Sequence, residues 1–253
     1  MNVQVWGATG MLGSRVVETA AAAGHTVIPG LGRIEAVEDQ DIADGTEVIV
    51  NCAGLVKQRK AFSWPAFMLT NGVGPHNLAF LAEQRGIRLI HISTDCVFQG
   101  AGPHYEGQST DANDMYAATK RAGEVMYGPH LTIRTSFVGF GPRGLLHDLQ
   151  HKESIRASTK LLWNGHTVDT IAILIAMLLS RPYITGLLHV PGENQNRYTL
   201  AQALKARWEL PARIEQDDGF VADRRLYTTR WFHLGLPILP DFATQLERMK
   251  MRP

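Results

Sequence analysis

Apolar residues along this 253-residue chain fall in two alternating rhythms. Short dense runs at 3–6, 25–28, 47–51, 88–92 and 131–134 have the Val, Ile and Leu content of strands buried on both faces. Between most of them lie stretches with a helical period, at 12–23, 67–83 and 115–126. Segment 167–179, followed by 186–190, reads as one more helix and strand returning to the same sheet. Strands alternating with helices predict βαβ units and a doubly wound parallel sheet, an α/β fold. Residues 1–137 and 165–192 are assigned to this core. Segments 138–164 and 193–253 are richer in Gly, Pro, Arg and aromatic residues, with short elements, and are expected to form a small substrate-binding lobe.

Composition narrows the picture. Lys and Arg total 25 and Asp and Glu 24, so no charge excess points to nucleic acid or an anionic membrane. The longest apolar run, 171–179, is too short to span a bilayer, and the chain enters its first strand without a signal-peptide pattern. A cytoplasmic protein is expected. Cys52 and Cys96 each end a strand-like run, where buried free thiols are expected in a reducing compartment.

The first chemistry lies where the first strand ends, in Gly7-Ala8-Thr9-Gly10-Met11-Leu12-Gly13. Glycines at this spacing let the backbone turn sharply, approach a pyrophosphate, and pack the following helix on the strand. The helix start then offers its free N–H groups to phosphate. This is a Rossmann dinucleotide cradle. The usual Asp or Glu at the end of the second strand, which holds the ribose hydroxyl of NAD, is absent; the chain there reads Ile28-Pro29-Gly30-Leu31-Gly32-Arg33. Arg33 suits a 2′-phosphate instead, which favours NADP over NAD.

Tyr116 and Lys120 stand four apart in a helical stretch, on one face and one turn apart. A phenol is a poor acid at neutral pH, and a nearby ammonium is expected to lower its pKa and make a general acid of it. Ser93 and Thr94 follow the 88–92 strand, at the carboxyl end where doubly wound sheets bind ligands. Cys52, Ala53 and Gly54, after the 47–51 strand, are small enough to let a flat cofactor lie against the backbone.

The order of these motifs resembles the extended short-chain dehydrogenase/reductases, in particular the dTDP-4-dehydrorhamnose reductase branch. The likeness runs from Gly7–Gly13 through Asp41-Ile42, Asn51–Gly54, Asn71 with Gly74–Ala79, Ser93-Thr94-Asp95, Tyr116–Lys120 with Ala122-Gly123-Glu124, and Arg134-Thr135-Ser136, to Gly186–Val190 and Gly192. The resemblance implies reduction of the 4-keto group of a nucleotide-activated 6-deoxy sugar by NADPH. Thr94 would hold the ketone, Tyr116 donate the proton, and Lys120 bind the nicotinamide ribose while depressing the Tyr116 pKa. It also places Asp41, Ile42, Asn71 and Ser93 with Met11, Leu12 and the glycines at the cofactor, and Asp95, with Cys96 beside it and the loop after Ser136 that starts at Phe137, near the sugar. Trp163-Asn164-Gly165 reads mainly as a turn into the next helix, with Trp163 a candidate to line the substrate cleft. A homodimer is compatible with the resemblance. Two departures stand out: Cys96 where the reductases usually carry Tyr, and Phe137 where they usually carry Trp. Related dehydratases need a Glu after Thr-Asp, and Cys96 cannot replace it. Two alternatives stay open, a nucleotide-sugar epimerase and a non-catalytic NADP-binding regulatory subunit. The complete Thr94, Tyr116 and Lys120 set argues for chemistry. His147 and His151 have zinc-helix spacing but lack the adjoining Glu of hydrolytic sites, so no metal is assigned. Arg224-Arg225 and Arg230-Trp231 read either as a surface for a sugar diphosphate or as a solvated face.

Overall fold

Strands apolar on both sides must be covered on both sides. In the structure, a computed structural model describing residues 1–57, 62–111 and 113–250, six such strands lie parallel in one sheet. They are β1 (Asn2–Trp6), β2 (Thr26–Pro29), β3 (Val48–Asn51), β4 (Arg88–Ile92), β5 (Leu131–Arg134) and a sixth strand, Gly186–His189. Across the sheet they run sixth, β5, β4, β3, β1, β2. The winding therefore reverses between β1 and β3, and the crevice at their carboxyl ends is the ligand-binding position of such a sheet.

Alternate residues serve opposite faces. Val48, Val50, Ile90 and Ile92 join a core with helix α1 (Met11–Ala22) and helix α6 (Val168–Leu179). Ile49 and Leu89 join a second one with Trp6, Ile42 and, from helix α3 (Gly74–Gln84), Leu78 and Ala82. Among the described residues no helix is long and apolar enough to cross a membrane. Cys52 and Cys96 are free thiols.

The helix expected at 67–83 is present but interrupted. It begins as α2 (Trp64–Phe67), widens into a π-helical segment (Met68–Val73), and continues as α3. Pro75 has no N–H to give the Asn71 carbonyl, and a π turn accommodates such a gap. Gly123 passes so near that a Cβ there would lie 1.9 Å from the Asn71 oxygen. Gly123 is also the C-cap of helix α4 (Met115–Ala122), which ends short of the expected 126 because the chain turns off at this close contact.

The segments 138–164 and 193–253 interleave; of the second, residues 251–253 lie outside the described part. Strand Ser154–Ala157 pairs with Arg213–Gln216, and Leu161–Trp163 with both Gln195–Asn196 and Ala222–Asp223. Helix α5 (Leu145–His151), helix α7 (Arg197–Trp208) and the last helix, Phe242–Arg248, close a separate core that includes Leu146, Leu149, Leu200, Leu204 and Phe242. Trp231 and Leu236 instead return to the core of the sheet. The twelve-residue α7 is longer than the short elements expected here; Leu200, Ala201 and Leu204 give it one buried stripe.

Candidate active site

β1 runs straight into the glycine turn. Gly7 has φ +74°, which favours glycine, and a Cβ there would meet the Ala53 nitrogen at 2.7 Å. A Cβ on Gly13 would lie 2.0 Å from the Gly7 carbonyl oxygen, so α1 starts this close to the turn only without a side chain there. Gly10 is the N-cap of α1; no side chain caps the helix, and its first turn, which includes Met11, Leu12 and Gly13, carries no acid. Thr9 and Gly10 are exposed at the tip of the turn. Uncapped N–H groups beside bare backbone suit the pyrophosphate of a dinucleotide.

Around this turn, Arg33 forms an ion pair with Glu35 while its side chain stays 70% exposed. Glu35, overlooked in the sequence, is a carboxylate beside the β2 exit and receives a hydrogen bond from Thr70. The Asp41 carboxylate accepts the Glu38 backbone N–H at 2.8 Å, and Ile42 is buried beside Trp6. Asn71 is fully buried and clamps the β3 exit: its amide accepts from the Leu55 nitrogen at 2.8 Å and donates to the Leu55 oxygen at 3.0 Å. That clamp fixes the path of Cys52, Ala53 and Gly54.

At the end of β4, Thr94 caps a short turn by accepting from the Cys96 nitrogen at 3.1 Å and donates its hydroxyl to Asp95 at 3.2 Å, near enough to Tyr116 to influence the phenol. Tyr116 enters on α4, whose N-cap Asp114 accepts from the Ala117 nitrogen at 3.0 Å. Lys57, also overlooked in the sequence, donates to Asp114 at 2.6 Å and lies 5.7 Å from the centre of the Tyr116 ring. Lys120 shares the Tyr116 face of the helix but turns toward the sheet, donating to the Ile92 carbonyl at 2.6 Å. Burial, followed by the neighbouring Cys96, therefore raises the Tyr116 pKa, contrary to the lowering expected from helical spacing alone. Burial lowers Lys120 to about 8, against the opposite pull of Glu124 and Cys52. Burial also pushes Cys52 up to about 12 and Cys96 to about 11, so both stay neutral thiols.

Ser93 points elsewhere. Its hydroxyl donates to Glu124 at 2.7 Å, and Arg134 grips both oxygens of that carboxylate at 2.7 Å. Asp95 is buried, which raises its pKa; Arg224 is the largest opposing influence, and Thr94 donates to the carboxylate at 3.2 Å. Trp163 is buried, with its indole N–H on the Ser136 hydroxyl at 2.8 Å and its ring edge-on to Phe242. Phe137 is partly buried against the core of the sheet. Arg224 reaches the Cys96 sulfur at 3.4 Å, and Arg197 is close enough to feel Arg224, Cys96 and Asp95. The rings of His147 and His151 stack 4.3 Å apart on α5.

This arrangement sets a glycine turn with an uncapped helix start and the Thr94, Tyr116 and Lys120 side chains at the carboxyl edge of one sheet. Residues 1–218 match the family described as the RmlD substrate binding domain. The chain is 30% identical over 213 residues to a dTDP-4-dehydrorhamnose reductase of Streptomyces griseus, covering 73% of this chain and 68% of that protein. It is 36% identical over 211 residues to a dTDP-4-keto-6-deoxy-D-glucose reductase of Streptomyces niveus, covering 73% and 70%. Its fold matches a crystal structure of dTDP-4-dehydrorhamnose reductase from Bacillus anthracis in complex with NADP, with a TM-score of 0.84 and 20% identity over 98% of each chain. By its matched length and these relatives, the chain belongs to the RmlD substrate binding domain family, the family of the dTDP-4-dehydrorhamnose reductases.

Proposed function

We propose that this protein is an NADPH-dependent reductase of the 4-keto group of a nucleotide-activated 6-deoxy sugar. The observation that carries the reading is the convergence at the carboxyl end of β4 of Thr94, which follows the strand, with Tyr116 and Lys120, one turn apart on α4, Lys120 donating to the Ile92 carbonyl at 2.6 Å. The names of the relatives, reductases of dTDP-4-dehydrorhamnose and dTDP-4-keto-6-deoxy-D-glucose, support the substrate class.

When bound, a reduced nicotinamide dinucleotide would supply the hydride. Gly7 to Gly13 would hold its pyrophosphate at the α1 N-terminus, and Arg33, exposed beside the β2 exit, would meet the 2′-phosphate. Thr94 donates its hydroxyl to the ketone oxygen and orients it. Burial keeps the Tyr116 phenol protonated, and the phenol gives that proton to the oxygen as negative charge develops there. Arg197 and Arg224, converging beside Cys96, supply positive charge for the sugar diphosphate. Segments 138–164 and 193–253 together form the substrate lobe, a reading supported by their shared core. Free thiols at Cys52 and Cys96 fit the cytoplasm, where such a biosynthetic enzyme would work.

The test mixes protein, NADPH and dTDP-4-keto-6-deoxy-L-lyxo-hexose and follows the nicotinamide absorbance. Wild-type protein should oxidise NADPH, and Tyr116→Phe should slow it by about a hundredfold or more, the scale of a lost general acid. Absence of oxidation with this sugar and with the D-xylo 4-keto isomer would rule the reading out.

A further inference from the structure

Along the face of the sheet that α3 and α4 cover, the apolar alternation ends in polar groups. Ile49 is followed two residues on by Asn51, and Leu89 by His91; Asn51 and His91 are direct partners in the β3–β4 register, and both are fully buried. Buried polar groups at inward strand positions need partners, and here they partner each other. The Asn51 side-chain oxygen accepts the Ala53 backbone N–H at 3.0 Å, so its amide nitrogen is the atom facing His91 Nδ1, also at 3.0 Å. An amide nitrogen only donates, and Nδ1 must therefore be the bare, accepting nitrogen of the ring. In the neutral ring the proton then sits on Nε2, which lies 3.3 Å from the Lys120 amine. A charged ammonium has no lone pair for that N–H, whereas a neutral amine accepts it and still donates to the Ile92 carbonyl.

We propose that His91 is a positioning residue for Lys120, its Nε2–H biasing the lysine toward the uncharged amine, with the tautomer set by the Asn51–Ala53 hydrogen bond. Burial acts in the same direction, lowering His91 well below the ordinary imidazole range and Lys120 to about 8. The other titratable groups facing Lys120 are the Cys52 thiol from the β3 exit and Glu124 beyond α4, with Tyr116 one turn earlier on the helix; His76, on α3, faces His91. The charge on Lys120 thus becomes conditional, completed when an anionic ligand enters the cleft. Only this consequence rests on the cofactor reading above.

Competitive acetylation of amines across the alkaline range, read by mass spectrometry on the Lys120 peptide, tests the proposal in cofactor-free protein. Wild-type Lys120 should titrate near 8. Asn51→Asp, which accepts a proton from Nδ1 and turns Nε2 into an acceptor, should raise that value by about one unit, the worth of one hydrogen bond. His91→Phe should raise it similarly, and His91→Gln, which retains an N–H donor, should leave it near wild type. Wild-type titration at the ordinary lysine value of 10.5, or a value unmoved in Asn51→Asp, would overturn the proposal, and neither reading needs His91→Phe to fold. NADPH binding, followed separately by fluorescence, would fail alone if only the cofactor reading were wrong.

Discussion

Lys120 is 5% exposed, and burial there disfavours its charged form. A lysine whose pKa falls on folding binds fewer protons in the native state than in the unfolded one between the two values, so the fold gains stability as pH rises from about 8 to 10.5. Below that window the cost is fully present. Lys120→Met should therefore be inactive yet as stable as wild type or more so at pH 7, by up to about 3 kcal/mol. Urea midpoints at neutral and alkaline pH check this: the advantage of the variant should shrink above pH 8. The same residue shows what helical spacing conveys and what it omits. Spacing places Lys120 and Tyr116 on one face, but the lysine stem is long enough to choose another partner, and the Ile92 carbonyl takes it.

At the scale of elements, the site depends on how closely backbones approach. The β1–α1 turn works because Gly13 brings the first turn of the helix against the Gly7 carbonyl, and Gly7 against the β3 exit. Gly13→Ala would put a Cβ 2.0 Å from that oxygen, a contact relieved only by moving the helix start. It should lower NADPH affinity at least about tenfold and cost about 1–3 kcal/mol, as overpacking does; fluorescence titration and thermal melts measure both. The π segment before α3 has a similar local cause. Pro75 is plainly visible in the sequence as a helix interrupter, whereas the close passage of Gly123 against Asn71 required the fold.

Across the whole molecule one buried chain of polar groups ties the sheet to the segments around His104 and Tyr227. Ser93 at the end of β4 bonds Glu124, Glu124 pairs with Arg134 on β5, and Arg134 meets His189 of the sixth strand at 3.2 Å. His189 Nδ1 then reaches the carbonyls of Tyr227 at 3.0 Å and His104 at 3.2 Å. Removing one partner of a buried ion pair leaves the other charge uncompensated. Glu124→Gln should therefore destabilise the protein by about 3–5 kcal/mol, read as a drop in urea midpoint. Because Ser93 is tied into this network, the substitution should also loosen Thr94 beside it and lower reductase activity in the fraction that remains folded.

The sequence by itself determined the features that depend on neighbours in the chain. Strand and helix periods set the order of elements, the glycine spacing set the tight turn between β1 and α1, and the four-residue interval set Tyr116 and Lys120 on one face. Each is a local constraint on dihedral angles or side-chain direction, so it survives in one dimension. The tertiary structure decided which side chains meet: Lys120 with His91 and the Ile92 carbonyl, Ser93 with Glu124 rather than the cleft, Trp163 with Ser136, and Arg224 with Cys96. It also paired strand Ser154–Ala157 with Arg213–Gln216, and Leu161–Trp163 with Gln195–Asn196 and Ala222–Asp223, across segments distant in the chain. Asn51 and His91 did leave a trace, as polar residues at inward positions of otherwise apolar strands. Their partnership became visible only in the sheet, because register between strands is fixed by packing across the core and no local period encodes it.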